Sequence, residues 1–433
     1  FREYLDHLRR IGPIANVAVF AGHSAIRTAV MGEAASEQAE PTDEQLARMR
    51  SMVTQAMADG AIGFASSFSP NHSGYGGRPM PSTIATDHEL DVLLDAMAAS
   101  GRGVFMSATG ARLTPQKMEA IAARTGRPAF ISTVLAMHNE AKPDLAPTYY
   151  EACRASQARG NPVYMLTSCQ PLRFDFSLRD PYLLLSHAAF EAITDKSDPA
   201  LRKVYQDPAF RERFRENLRN PGAGILFLGD WSRIEVSLCA DPALTSCQGR
   251  TIADIASDKG QDPVDVFFDL ALQDGLETRF LARLFQDDDA AVGALLKDPA
   301  SVVTLSDGGA HLLYFCDAGF GLHFLAHWVR ETGTFTLAEG VRRLTSDPAE
   351  RFCIPDRGRL APGMPADMLL FDPQTVGLSP PLPVADLPGG ATRMVREPKG
   401  TFGVWVNGVR VHDGHTYTSL PHGPGIVLDN FKP

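Results

Sequence analysis

The sequence predicts an α/β fold built on a parallel sheet. Three observations carry that expectation. Short apolar runs alternate with amphipathic stretches of helical period, and the connections between them are short. The apolar runs are hydrophobic throughout rather than at every second residue, as strands buried on both faces are. The resulting order, βαβαβαβα, leaves a parallel barrel and a doubly wound sheet both open.

FREYLDHLRR opens the chain as an amphipathic helix, and Asn16 to Ala21 reads as a short strand. Thr42 to Asp59 has helical spacing at Leu46, Met49, Val53, Ala56 and Met57, with Thr42 as its cap. Strand and helix then alternate: Ala61–Ala65, Asp87–Ser100, Gly103–Ser107, Thr114–Thr125, Pro128–Leu135, Ala146–Arg159 and Pro162–Thr167. Residues 170–222 break the rhythm. They are charged and aromatic, with a helix over Pro208–Leu218, and read as an insertion over the mouth of the sheet. Ile225–Leu228 is expected to resume the strands, and Leu337–Leu344 is a late helix. Leu378–Leu387 is a Pro-rich connection.

Composition narrows the class. At 433 residues and 44% hydrophobic content the chain has enough apolar mass for a large core and a small second domain. The net charge is −10 and no basic tract stands out, which argues against nucleic acid or an anionic membrane as partner. No run of eighteen apolar residues suggests a membrane helix. The six cysteines are scattered without a C-x-x-C pair, so reduced thiols in a cytoplasmic protein are expected.

The most informative stretch is VVTLSDGGAH, Val302 to His311. An apolar run ends in Asp307 and two glycines, which places an acid at the rim of a sheet and lets backbone approach whatever it holds. A helix N-cap followed by a turn fits the same letters. Two later stretches bear on the choice. One carries Gly358, Leu360, Pro362, Gly363, Ala366 and Asp367; the other carries Val404, Val406, Asn407, Gly408 and Val411. They resemble the closing segments of the amidohydrolase superfamily. NVAVFAGHSAIRTAVMG (16–32), DGAIGFASSFSP (59–70) and GRTIADIASDKGQDPVDVFFDL (249–270) are similar to segments of its N-acyl-D-amino-acid deacylase, or D-aminoacylase-like, branch.

The resemblance implies a (β/α)8 TIM-type barrel over 1–353, with the insertion at about 170–222 and a small β-sandwich domain over 354–433. It implies that the first barrel strands, with a His-x-His metal pair, lie upstream of Phe1; no His-x-His occurs here. A truncated or processed chain is therefore the expectation. By the same resemblance Asp307 ends barrel strand eight, binds metal and takes the proton of the attacking water.

The histidines supply the other candidates. His23 follows a strand directly, and is expected to bind metal or substrate. His311, four residues past Asp307, orients it or faces substrate. His72 and Arg78 share a Gly/Pro-rich loop of the kind that covers pockets, and Arg78 suits a carboxylate. His138 follows a strand end and is expected to contact substrate. His323 and His327 are four apart on one helix face, but no H-E-x-x-H accompanies them, so packing is the preferred account. The chain departs from the family at Ser107, Ala108, Thr133 and Val134, where the resemblance would place metal-binding histidines.

The chain is thus expected to be a metal-dependent hydrolase of a small-molecule amide such as an N-acyl amino acid, holding one zinc through Asp307, His23 and upstream ligands. A homo-oligomer or an associated N-terminal fragment fits the missing strands. Two alternatives stay open: a metal-free barrel that binds a ligand or partner, and one subunit of a split enzyme.

Overall fold

The computed structural model describes residues 1–431 except 70–71, 73, 75–77, 109, 111, 133–136, 140–141, 192, 223–224, 305–317 and 392. The strands before the tail are β1 (Phe20–Gly22), β2 (Gly63–Ser67), β3 (Val104–Ala108), β4 (Ala129–Ile131), β5 (Val163–Thr167), β6 (Leu172–Phe176), β7 (Ile234–Leu238), β8 (Arg279–Phe285) and β9 (Ser301–Val303).

Six of these form a parallel sheet in the order β1-β2-β3-β4-β5-β9. Both faces are covered, as the apolar runs require. Phe64, Phe105, Ile131 and Met165 pack under the helices, while Val104, Phe130, Leu166 and Val302 form a second cluster on the other face, where Phe352 stacks on Phe130. Gly63 is needed where β2 meets β3: a Cβ there would come within 1.8 Å of the Val104 carbonyl oxygen.

The helices begin where their caps dictate. Thr42 accepts from Gln45 N–H while the Gln45 side chain returns to Thr42 N–H, a full capping box. Thr86, Thr114, Thr251 and Thr336 cap their helices with the same threonine side-chain bond. The expected helices appear at Asp43–Asp59, Asp87–Ala98, Pro115–Thr125, Leu145–Ala158, Pro208–Arg219 and Leu337–Leu344.

One expectation fails. Ile225–Leu228 is not a strand. Phe227 is buried against Trp231, and its carbonyl accepts from His187 Nε2 at 3.0 Å. A short apolar run reads alike whether it joins a ladder or packs irregularly under helices. The parallel sheet resumes only at β9. Between β5 and β9 lies a three-stranded antiparallel sheet, β6-β8-β7, which reaches well past residue 222. The helix pair Ile252–Lys259 and Pro263–Gln273 packs on it, in a cluster rich in aromatic rings.

In the tail, β10 (Met368–Phe371), β15 (Thr401–Val406) and β16 (Val409–His412) make a three-stranded antiparallel sheet. Two-stranded ladders join β11 (Gly377–Leu378) to β14 (Pro398–Lys399), and β12 (Leu382–Val384) to β13 (Arg393–Val395). The two tail motifs meet here. Asp367 accepts from Asn407 N–H at 2.8 Å and from the Asn16 side chain at 2.9 Å, and pairs with Arg357. Asn407 takes φ +48° in the turn between β15 and β16, and its amide donates to Asn16 Oδ1. These motif residues serve as a clasp between the tail and residue 16.

Candidate functional site

All six parallel strands present their C-terminal ends at one edge, the edge at which a barrel carries its site. His23 starts the helix His23–Met31 one residue after β1. It is buried, and both ring nitrogens are engaged. Nε2 lies 2.8 Å from Glu89 Oε1 and Nδ1 lies 2.8 Å from Ser66 Oγ. Glu89, paired also with Arg27, faces Nε2, and the Ser66 hydroxyl meets Nδ1. The other Glu89 oxygen accepts from Arg27 at 2.5 Å, and Arg27 also donates to the carbonyls of Ala35, Gln38 and Ala39. In this geometry His23 has a structural task as well as its place at the strand ends. No ring nitrogen is left over, and the residue braces the end of β1 against the helix Asp87–Ala98.

His72 is exposed, with Nδ1 2.5 Å from the hydroxyl of Ser67, the last residue of β2. Arg78 is exposed too, 3.9 Å from Glu37, at the surface. Asp307 and His311 lie outside the described residues. So do Thr133 and Val134; Ser107 is buried and donates to the Ala108 carbonyl at 3.1 Å.

His138 is 6% exposed, and among the described residues its Nε2 is buried without a hydrogen-bond partner. Its backbone is clasped by a residue that the sequence did not single out. Gln286, itself at φ +58°, accepts from His138 N–H at 2.7 Å and donates from its own N–H to the His138 carbonyl at 3.0 Å. Its amide nitrogen donates to Ser168 O at 2.6 Å, one residue past β5. The left-handed φ of Gln286 leaves no mark in composition or periodicity.

Beside this edge runs a cleft of about 800 Å³. Gln170, three residues past the end of β5, stands at its mouth, the charged face of β6-β8-β7 forms one wall, and His323 with the β12–β13 hairpin closes it. The helix bearing His323 continues as a π-helix from Phe324 to Glu331. His327 is held by Asp289 at 2.9 Å and Glu331 at 3.2 Å, as a packed helix with polar contacts would have it. Burial pushes His323 down to about 4, helped by the neighbouring His327 and by the guanidinium groups of Arg396 and Arg173.

Among the described residues no three His, Cys, Asp or Glu side chains sit together as a metal cage. The orphaned His138 Nε2 is nevertheless a nitrogen of the right chemistry at the right edge. Among them also, no helix is long and apolar enough to cross a membrane.

A profile of the amidohydrolase family matches residues 1–412. The chain belongs to the amidohydrolase family. This amidohydrolase-family chain is 27% identical over 383 residues to a D-aminoacylase of Alcaligenes xylosoxydans xylosoxydans, a match covering 87% of the chain and 64% of that protein. It is 25% identical to the N-acyl-D-glutamate deacylase of the same organism, covering 86% and 64%. The chain thus spans under two thirds of the length of these curated relatives. A solved D-aminoacylase with a binuclear metal centre superposes with a TM-score of 0.62 at 22% identity, over 99% of this chain and 75% of its own. The N-acyl-D-glutamate deacylase of Bordetella bronchiseptica, complexed with zinc and a phosphonate inhibitor, gives 0.59 at 23% identity with the same coverage. At these identities the solved structures speak to the fold.

Proposed function

We propose that the chain is part of a metal-dependent hydrolase that cleaves the C–N bond of a small-molecule amide, an N-acyl amino acid or a close relative. The observation that carries this is the edge where β4, β5 and β9 end. Among the described residues His138 keeps a buried ring nitrogen without a partner there, and β9, hydrogen-bonded to β5, leads within four residues to Asp307. The names of two relatives, a D-aminoacylase and an N-acyl-D-glutamate deacylase, support the reaction class.

We read the six parallel strands as staves of a (β/α)8 barrel over 1–353. Their order runs without the reversal that marks a doubly wound sheet. The antiparallel strands of 354–433 belong by the same reading to a small β-sandwich. Free thiols at Cys153, Cys169, Cys239, Cys247 and Cys353 suit a cytoplasmic setting.

In this proposal Asp307 and His138 contribute a carboxylate and an imidazole nitrogen to one divalent ion, zinc by donor type. The ion supplies Lewis acidity toward the amide carbonyl and toward water. Asp307 takes the proton from water and returns it to the leaving amine. His311 steadies the carbonyl oxygen as charge grows on it. His72 and Arg78, on the loop after β2, contact the substrate.

Metal content per chain, measured with amine release from a panel of N-acyl amino acids before and after chelation, tests the proposal. About one zinc per chain with chelator-sensitive release supports it. A metal-free chain that releases no amine from any of them overturns it.

A further inference from the structure

The sheet β6-β8-β7 has two chemically opposite faces. Phe174, Phe176, Ile234, Val236, Phe280 and Ala282 point into the aromatic cluster. Arg173, Asp175, Arg279 and Arg283 point into the cleft, where their charges separate along its length. At the far end Arg279 closes on Asp175 with two N–H donors, at 3.2 and 2.6 Å, and Glu235 stands beside them opposite Leu281.

The near end, beside Gln170, is different. Arg173 and Arg283 are register partners across the β6–β8 pair, so two guanidinium side chains leave the same face directly opposite each other. Like charges in that position repel. Among the described residues the Arg173 side chain makes no hydrogen bond or ion pair, and Arg283 Nε is buried without a partner. The carboxylate near Arg283 is Asp287, 3.8 Å away and already 3.3 Å from Arg233. A third guanidinium, Arg396, reaches the same end and donates to Gln170 Oε1 at 3.1 Å. His323 Nε2, in the adjoining wall, is buried and unpartnered.

A sequence that breaks a local pairing rule without relief nearby marks a place where a ligand supplies the relief. We propose that this end of the cleft binds a compact dianionic oxyanion of the phosphate class, clamped between Arg173 and Arg283. One carboxylate satisfies one planar guanidinium, whereas a tetrahedral dianion presents oxygen pairs to two and cancels both charges. The neutral His323 ring offers its Nε2 to a further oxygen. The site stands independently of the hydrolase proposal.

Calorimetric titration of the full-length protein near neutral pH tests it, with inorganic phosphate, glycerol phosphate and acetate as probes. Phosphate is expected to bind at least about tenfold tighter than acetate, and Arg173→Gln and Arg283→Gln each to weaken it by about tenfold or more. Arg173→Gln removes a repulsion from an exposed position, so its melting temperature is expected to hold or rise. Tighter binding of glycerol phosphate would name a phosphorylated small molecule as the source; equal binding would name free phosphate. Phosphate binding no tighter than acetate, or unchanged in both variants, overturns the proposal.

Discussion

Glu89 holds His23 on one carboxylate oxygen, at 2.8 Å, and Arg27 on the other, at 2.5 Å, with all three side chains buried. Removing the carboxylate's charge strands the Arg27 cation. Glu89→Gln is expected to cost about 3 kcal/mol or more in urea unfolding, because an unpaired buried charge outweighs one lost hydrogen bond. His23→Gln, which keeps the ion pair, should cost less than half as much. Equal costs would mean that Arg27 relaxes to water.

Gln286 is expected to matter through its side chain. Gln286→Met leaves the His138 N–H and the Ser168 carbonyl without their partner, at about 1–3 kcal/mol each. Gln286→Glu still accepts from His138, but it sets a buried carboxylate against the Ser168 carbonyl and should cost at least as much as Met. Thermal melts of the three proteins check the order. If Met melts with the parent protein, the clasp is misassigned.

Acid should loosen the protein through His323. Burial holds its folded pKa at about 4, below the 6.5 of the free side chain. The unfolded chain therefore takes up the proton first, and stability falls as pH drops from about 6.5 toward 4. His187, also pushed down by burial, acts with the same sign. The drop in unfolding free energy between pH 7 and pH 4.5 should shrink in His323→Gln by about 2 kcal/mol at most. An unchanged drop would place the acid sensitivity elsewhere.

Asp307→Asn is expected to lower kcat/KM for any amide the enzyme cleaves by about a thousandfold, since the amide cannot accept a proton from water. The melting temperature should move little. A variant with near-full activity would remove Asp307 from the chemistry.

The parts legible in sequence were those whose cause is local. The helix Asp43–Asp59 announces itself through Thr42 and the spacing of its buried face. What escaped depends on distant partners. Glu89 lies 66 residues from His23, so nothing near His23 warns that its nitrogens are taken. The β6–β8 pairing joins residues more than a hundred apart, and only β6 falls within the insertion read at 170–222. Asp367 and Asn407 stood out as motif letters, and their use is mechanical: a clasp across the tail.

The amphipathic sheet of β6, β7 and β8 carries its own aromatic core, distinct from the clusters on either face of the parallel sheet. Such a unit opens and closes as one block. The amides of Phe174 and Phe280 should exchange with solvent deuterium together, with an opening energy of their own. Because that block is secured from the ring side, an exposed charge such as Arg173 on its other face is not needed to hold it together. The residues that line the cleft and those that hold the scaffold are thus largely different ones.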